Sequence, residues 1–277
     1  MRKRLGQHFL VNQRIIQKII QISEVHPEDT VLEIGPGLGA LTKPLSKIVS
    51  RLIAIELDES LYQHLKTTFA DAPHVQIIQA DALKMDYEKL GLQKKVKVLA
   101  NLPYYVATPI LLHLLENRVF FSTMTLMFQK EVAERVVAQP GGKAYGYLAI
   151  MCQLLSEVKF CFTVPPEAFN PPPEVDSAVL KFTVLDEPRF KVKDLNHLTK
   201  LIKQVFSQRR KTLRNTLKSH LNLIYSPLLL DKALEELQIP PHLRGEALSI
   251  EKFVHLSNYL VEQGKEFEYG DSVYART

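Results

Sequence analysis

The chain has 277 residues, with 35 Lys and Arg against 30 Asp and Glu, 46% hydrophobic and 23% charged residues, and a sequence pI near 9.0. That balance excludes a mainly disordered, collagen-like or low-complexity chain, because the apolar content is enough to offset chain entropy on folding. No apolar run approaches the roughly 18 residues of a membrane span, no secretory apolar stretch follows the basic N-terminus, and two cysteines are too few for a disulfide framework. Cys152 and Cys161 are expected to be buried apolar residues in a protein of a reducing compartment.

In chain order, helix-like segments at 12–24, 40–49, 59–69, 108–117, 129–138 and 144–155 alternate with β-rich runs. Those runs are Thr30–Ile34, Leu52–Glu56, Val75–Gln79, Val96–Asn101, Met124–Phe128, Val158–Thr163 and Ala178–Val184. Such alternation predicts βαβ units in a Rossmann-like, seven-stranded α/β domain over residues 1–187. The last two runs are separated by a Pro-rich loop (Pro165 to Pro173) with no crossover helix, so they are expected to pair antiparallel. After Asp186-Glu187-Pro188 the strand-like runs stop. Apolar residues then recur at helical spacing in 195–206, 213–224, 228–237 and 250–260, which predicts a smaller all-helical domain over 188–264. Pro240-Pro241 breaks two of its helices, and 265–277 reads as a polar tail.

The charge is unevenly placed. Residues 2–14 and 200–220 contain no acid and hold eleven of the 35 basic residues, leaving 24 basic against 30 acidic residues elsewhere. A slightly acidic body with two basic segments suits a polyanion, since phosphate neutralisation releases counterions.

Two stretches carry chemistry. Glu33-Ile34-Gly35-Pro36-Gly37-Leu38-Gly39 follows a strand and opens a helix, so a ligand can approach its backbone closely. The spacing is G-x-G-x-G, with Ala40 at the third position of the dinucleotide fingerprint, and the loop alone leaves NAD open. Glu56 ends the second strand, 21 residues after Gly35, where a carboxylate can accept both ribose hydroxyls. Asp81 ends the third strand and can accept from an adenine amine. Glu33 favours a cationic ligand over a diphosphate, so this set points to S-adenosylmethionine.

The fourth strand runs into Asn101-Leu102-Pro103-Tyr104. Adenine N6 is a weak nucleophile whose lone pair is delocalised into the ring. The Asn101 side-chain oxygen and the Leu102 carbonyl can accept its two hydrogens, and Pro103 stiffens that carbonyl. Tyr104 can stack on a base drawn out of its helix. Alignment and charge stabilisation then do the catalysis. No His, Cys, Asp or Glu cluster has metal-ligand spacing.

These residues resemble the ribosomal RNA adenine N6,N6-dimethyltransferases, and most of all the branch acting on bacterial small-subunit rRNA. The resemblance covers about residues 2–262. It is carried by Arg2–Leu10, Glu33–Gly39, Ile55–Asp58, Asp81-Ala82, Asn101–Tyr104, Phe169–Ser177 and Phe206–Asn215. It implies S-adenosylmethionine contacts at His8, Leu10, Gly35, Gly37, Glu56, Asp81, Ala82 and Asn101. It implies base stacking by Phe169 opposite Tyr104, although a Pro-flanked Phe is equally an ordinary loop anchor. It implies RNA contacts at Arg209, Arg210, Lys211 and Arg214. One departure stands out: His8 occupies a position where the family usually has Asn, and an imidazole cannot be donor and acceptor with amide geometry. The implied reaction is dimethylation of two adjacent adenosines in a 3′-terminal hairpin loop of 16S rRNA, by a cytoplasmic monomer, during small-subunit biogenesis. A large-subunit adenine methyltransferase conferring macrolide resistance, a non-catalytic RNA-binding factor and an NAD oxidoreductase are the competing readings. The Leu in Asn101–Tyr104 and the Leu243–Ser249 segment disfavour the first, and the intact sites disfavour the second. The third leaves the basic segments unexplained.

Overall fold

The computed structural model describes residues 8–221 and 226–274, with side chains throughout except at 219–221 and 264–274. The basic residues Arg2, Lys3 and Arg4 therefore lie outside the described residues. In chain order the elements begin with β1 (Phe9–Leu10), α1 (Gln13–Ser23), β2 (Thr30–Ile34), α2 (Thr42–Leu45), β3 (Arg51–Glu56), α3 (Glu59–Thr68) and β4 (Val75–Gln79). They continue with β5 (Val96–Asn101), α4 (Ala107–Glu116), β6 (Phe121–Gln129), α5 (Lys130–Val136), α6 (Tyr147–Leu155), β7 (Ser156–Val164), β8 (Phe169–Asn170) and β9 (Ser177–Val184). Four helices close the chain: α7 (Leu195–Ser207), α8 (Leu213–Leu221), α9 (Pro227–Glu236) and α10 (Ile250–Tyr274). Among the described residues no helix is long and apolar enough to cross a membrane.

Two units are formed, one from the described parts of Met1–Val137 and Leu155–Asp186, the other from Ala138–Leu154 and Glu187–Thr277. Residues 138–154, which the sequence division at 187 assigns to the first domain, pack with the second unit.

The first unit is built on a seven-stranded sheet of order β4-β3-β2-β5-β6-β9-β7. Its central strands are near-continuous apolar runs because both faces are covered; Val31, Leu32, Leu52, Ile53, Ala54, Val98 and Leu99 are all buried. β2 lies parallel to both β3 and β5, so the chain turns outward on one side and then crosses to the other. That reversal opens a crevice at the carboxyl ends of β2 and β5. β9 is antiparallel to both β6 and β7, as the missing crossover helix predicts. Its first residue, Ser177, therefore sits beside Gln129 at the end of β6, on the same edge of the sheet as the crevice.

Helix α1 shows how the local sequence serves this sheet. Asn12 Oδ1 accepts from the Arg14 and Ile15 amides at 3.0 and 3.2 Å, an N-cap. Ile16 and Ile19 then fall on one face and pack with Leu10, Leu41, Leu45, Leu52 and Val179. Each such burial contributes about 1.5–3 kcal/mol before entropy costs. α2 is shorter than the predicted 40–49. Beyond Leu45 the amides of Lys47 and Ile48 turn to carbonyls three residues back, Pro44 and Leu45, which tightens the chain out of the α-helix.

β1 and β8 form a separate two-stranded antiparallel sheet, pairing Phe9 with Asn170 and Leu10 with Phe169. Neither strand is visible in the hydrophobic pattern, because two residues are too few to show a period.

In the second unit, Asp194 caps α7 by accepting from the His197 amide at 2.9 Å, and Leu198, Leu201, Ile202 and Val205 are its buried stripe. A Cβ on Gly245 would lie 2.1 Å from Val205 Cγ1, so only glycine fits where the 245–247 turn crosses this helix. α10 runs to Tyr274, through residues read from sequence as tail. That stretch has no proline, and Lys265, Glu266 and Glu268 are good helix formers.

Candidate active site

The crevice holds two adjoining cavities that share Phe9, Gly35, Leu38, Glu56 and Pro103. The larger spans about 1970 Å³, its open mouth included, and is lined by Glu56, Asp58, Asp81, Ala82 and the loop after β2. That loop is tied to β3: the Gly35 amide donates to Ile55 O at 2.9 Å. Gly37 has φ +57°, and a Cβ there would meet Phe9 Cδ1 at 3.1 Å, so backbone conformation and crowding both select glycine. Its amide donates to Glu56 Oε2 at 3.1 Å, while the Asp58 amide donates to Oε1 at 2.9 Å. The carboxylate is thereby aimed, and each oxygen keeps a lone pair for a hydroxyl. Burial raises the Glu56 carboxyl above its ordinary range. Asp81 Oδ1 accepts from the Leu83 amide at 3.0 Å, which leaves Oδ2 able to accept from an amine.

Glu33 is only 2% exposed and lines the smaller cavity. Its partners across the sheet are Ala54 and Leu99, and its Oε2 has no hydrogen bond among the described residues. Burial, reinforced by the charge of Glu56, pushes its carboxyl up to about 8. Hydrogen bonding from Thr42 offsets part of this cost, but a buried acid with one oxygen unpaired is still costly, and a cationic ligand supplies a partner for it. An aimed carboxylate for a ribose, an acceptor for an adenine amine and a buried acid with one oxygen unpaired fit S-adenosylmethionine. A diphosphate would meet Glu56 with like charge and would offer Glu33 no counter-charge.

The smaller cavity spans about 730 Å³, its open mouth included, and is lined in part by His8, Leu10, Leu41 and Asn101–Tyr104. Asn101 Nδ2 donates to His8 O at 3.3 Å, so the amide is oriented and its Oδ1 is left to accept elsewhere. The Tyr104 hydroxyl and Ser177 Oγ are 2.6 Å apart. The Tyr104 ring lies 5.7 Å from the His8 ring at an interplanar angle of 28°. His8 Nδ1 is 2.8 Å from Pro171 O, and since a carbonyl only accepts, Nδ1 carries the proton.

One residue is not brought to the crevice. Phe169 is 4% exposed and packs with Leu10, Ala168 and Val179 in the core, and it lines neither cavity. The strand pairing of Leu10 with Phe169 explains this, because it turns the ring inward as an anchor for the loop. Ser177 is the site residue that sequence reasoning missed. Its motif was visible, but its partner is 73 positions away. The cysteines divide: Cys152 is buried as expected, while Cys161 is only partly so, at a less covered point of β7.

In the second unit the basic segment is not uniform. Arg209 donates to the carbonyls of Lys143 and Tyr145 at 3.0 and 3.1 Å. Arg214 grips Asp231 with two hydrogen bonds of 2.5 Å and holds that carboxyl below its usual range. Arg210 and Lys211 are exposed.

Comparison with known proteins agrees with this geometry. A family model described as ribosomal RNA adenine dimethylase matches residues 1–262. The chain is 44% identical over 269 residues to the ribosomal RNA small subunit methyltransferase A of Streptococcus thermophilus, covering 95% of this chain and 93% of that one. It is 44% identical over 266 residues to the protein of the same name in Geobacter metallireducens, covering 95% and 96%. Among solved structures, a dimethyladenosine transferase from Plasmodium falciparum superimposes with a TM-score of 0.82 at 28% identity, covering 93% of this chain and 98% of that one. The 23S rRNA methyltransferase ErmE shares the fold, with a TM-score of 0.68 at 23% identity, covering 91% and 99%.

Proposed function

The chain belongs to the ribosomal RNA adenine dimethylase family, and from that premise we propose that it converts two adjacent adenosines in a 3′-terminal hairpin loop of 16S rRNA to N6,N6-dimethyladenosine. It does so with S-adenosylmethionine, as a cytoplasmic monomer, during small-subunit biogenesis.

The observation that carries this reading is the orientation of Asn101. Its Nδ2 is committed to His8 O, so Oδ1 is the atom left for a substrate N–H. With the Leu102 carbonyl it accepts the two N6 hydrogens, which fixes the direction of the amine. As N6 becomes positively charged, the same two acceptors stabilise it, and the proton then leaves to water without a dedicated base. Tyr104 stacks on the extruded base. S-adenosylmethionine, when bound, supplies an electrophilic methyl on a sulfonium. Glu56 would hold its ribose, Asp81 and Ala82 its adenine, and Gly35, Gly37, His8 and Leu10 its remaining walls, with Glu33 balancing its positive charge.

The exposed Arg210 and Lys211 are assigned to RNA phosphates. Arg209 and Arg214, engaged with the protein, hold that segment in place. Residues 188–264 together with 138–154 form the RNA-guiding part.

The reading is tested by offering labelled S-adenosylmethionine with unmethylated small subunits, intact large subunits and naked rRNA. Label is expected in small-subunit RNA alone, as dimethyladenosine at two adjacent positions. Label in large subunits, or at another base, would replace this reading.

A further inference from the structure

Tyr104 is held at two points by residues that no stacking role requires. Its hydroxyl meets Ser177 Oγ at 2.6 Å, and its ring face meets His8 at 5.7 Å. Ser177 is fully buried and paired on both sides, with Gln129 of β6 and Val164 of β7. It is therefore a rigid post, placed at the crevice by the one reversed strand of the sheet. His8 is fixed as firmly. Its Nδ1 donates to Pro171 O, its main-chain oxygen holds Asn101, and the next two residues form β1 against Phe169 and Asn170. The Tyr104 segment follows β5 in a turn and its ring is half-buried, so these two contacts add fixed points at its hydroxyl and its face.

We propose that His8 and Ser177 are positioning residues that clamp Tyr104 from its face and its hydroxyl, and that this clamp governs completion of the second methyl transfer to each adenosine. The inference rests on the dimethylation reading above. The first transfer acts on an amine with two equivalent hydrogens. In the second, N6 carries a methyl that must lie on one side while the single remaining hydrogen finds its acceptor. A ring free to shift lets the methylated base settle with that methyl toward the donor. Misplacement of about 1 Å is enough to cost about a hundredfold in rate. The second transfer is the one with an alternative seating, so it is the more sensitive.

The test uses the full-length enzyme with unmethylated small subunits. Wild type, Tyr104→Phe, Ser177→Ala, the double variant Tyr104→Phe/Ser177→Ala, and His8→Ala are compared. Monomethyl- and dimethyladenosine are quantified by nucleoside mass spectrometry, kcat and KM are measured for each transfer, and cofactor affinity is measured by calorimetry. Tyr104→Phe and Ser177→Ala each remove one hydrogen bond. Each is expected to slow the second transfer about threefold to tenfold, raise the mono-to-dimethyl ratio, and leave cofactor affinity within about twofold. The double variant is expected to match either single one, because both remove the same bond. His8→Ala is expected to shift the ratio in the same direction. Should Ser177→Ala fail to fold, Tyr104→Phe reads the same bond. A wild-type ratio in Tyr104→Phe, or equal slowing of both transfers, overturns the clamp alone. A wild-type enzyme that makes no dimethyladenosine overturns the functional reading, and the clamp with it.

Discussion

The two halves of the crevice are built in different ways. The half with Gly35, Gly37, Glu56 and Asp81 is assembled from neighbouring strand ends, and its bonds are short in sequence: Glu56 reaches Asp58 two residues on and Gly37 nineteen back. The half with His8, Asn101, Tyr104 and Ser177 is assembled across 73, 93 and 163 positions. The first follows from any βαβ sheet with acids at its carboxyl edge. The second exists only because a two-residue strand and a reversed strand bring distant segments to that edge. The cofactor half should therefore tolerate perturbation of the base half, and the converse should fail.

The largest effect expected from this contrast is at Asn101. Asn101→Ala should lower methylation about a hundredfold to a thousandfold by removing an acceptor that works on developing charge. Cofactor affinity, measured by calorimetry, should fall less than about tenfold. Near-normal turnover would remove Asn101 from the chemistry.

Phe169 and Tyr104 sharpen the same division, since the resemblance implies one role for both while the structure places one ring in the core and the other at the crevice. Phe169→Ala should cost about 3 kcal/mol of stability as a core truncation. Tyr104→Ala should cost less stability, about 1 kcal/mol for the Ser177 hydroxyl it leaves unpaired, and lower kcat/KM about tenfold to a hundredfold, the worth of one stacked base. Thermal melts and kinetics on both variants decide the matter, and a stable, inactive Phe169→Ala would restore the second stacking ring.

Glu33 tests the cofactor half through pH. Its carboxyl is held protonated up to about 8 in the folded protein, whereas the unfolded chain loses that proton in the ordinary glutamate range. Between those limits the folded state binds more protons, so its stability falls as pH rises. Glu33→Gln should remove this slope, giving a melting-temperature advantage over wild type that grows from about pH 5 to about pH 8.5. The same variant should bind S-adenosylmethionine more weakly. Parallel pH profiles would show that Glu33 is not the buried acid it appears by position.

The smallest effects lie in the helical unit. Neutralising Arg210 and Lys211 together should lower the slope of log affinity for rRNA against log salt by about two, one per phosphate contact. Arg214→Ala should instead lower the melting temperature of that unit, because Asp231 loses its bidentate partner. An Arg214→Ala change in the salt slope alone would move Arg214 to the RNA-facing set.

Much was legible in the sequence because much of the fold is local. Apolar runs of five or six residues with helices between them dictate a parallel sheet. A sheet of that kind places whatever follows each strand at one edge, so Glu33, the glycines, Glu56, Asp81 and Asn101 were readable as one site. The stripe in 195–206 likewise gave α7 without help from tertiary contacts. What could not be read has a common physical reason. β1 and β8 are each too short for periodicity and exist only as a pair. Whether Phe169 faces the crevice or the core is set by its register against Leu10. The orientation of the Asn101 amide is set by His8, and the Tyr104 hydroxyl meets Ser177 only across the closed sheet. A local pattern carries the period of an element and the chemistry of its ends. The facing of a side chain against a partner 73 residues away or more is settled only when the whole sheet has closed.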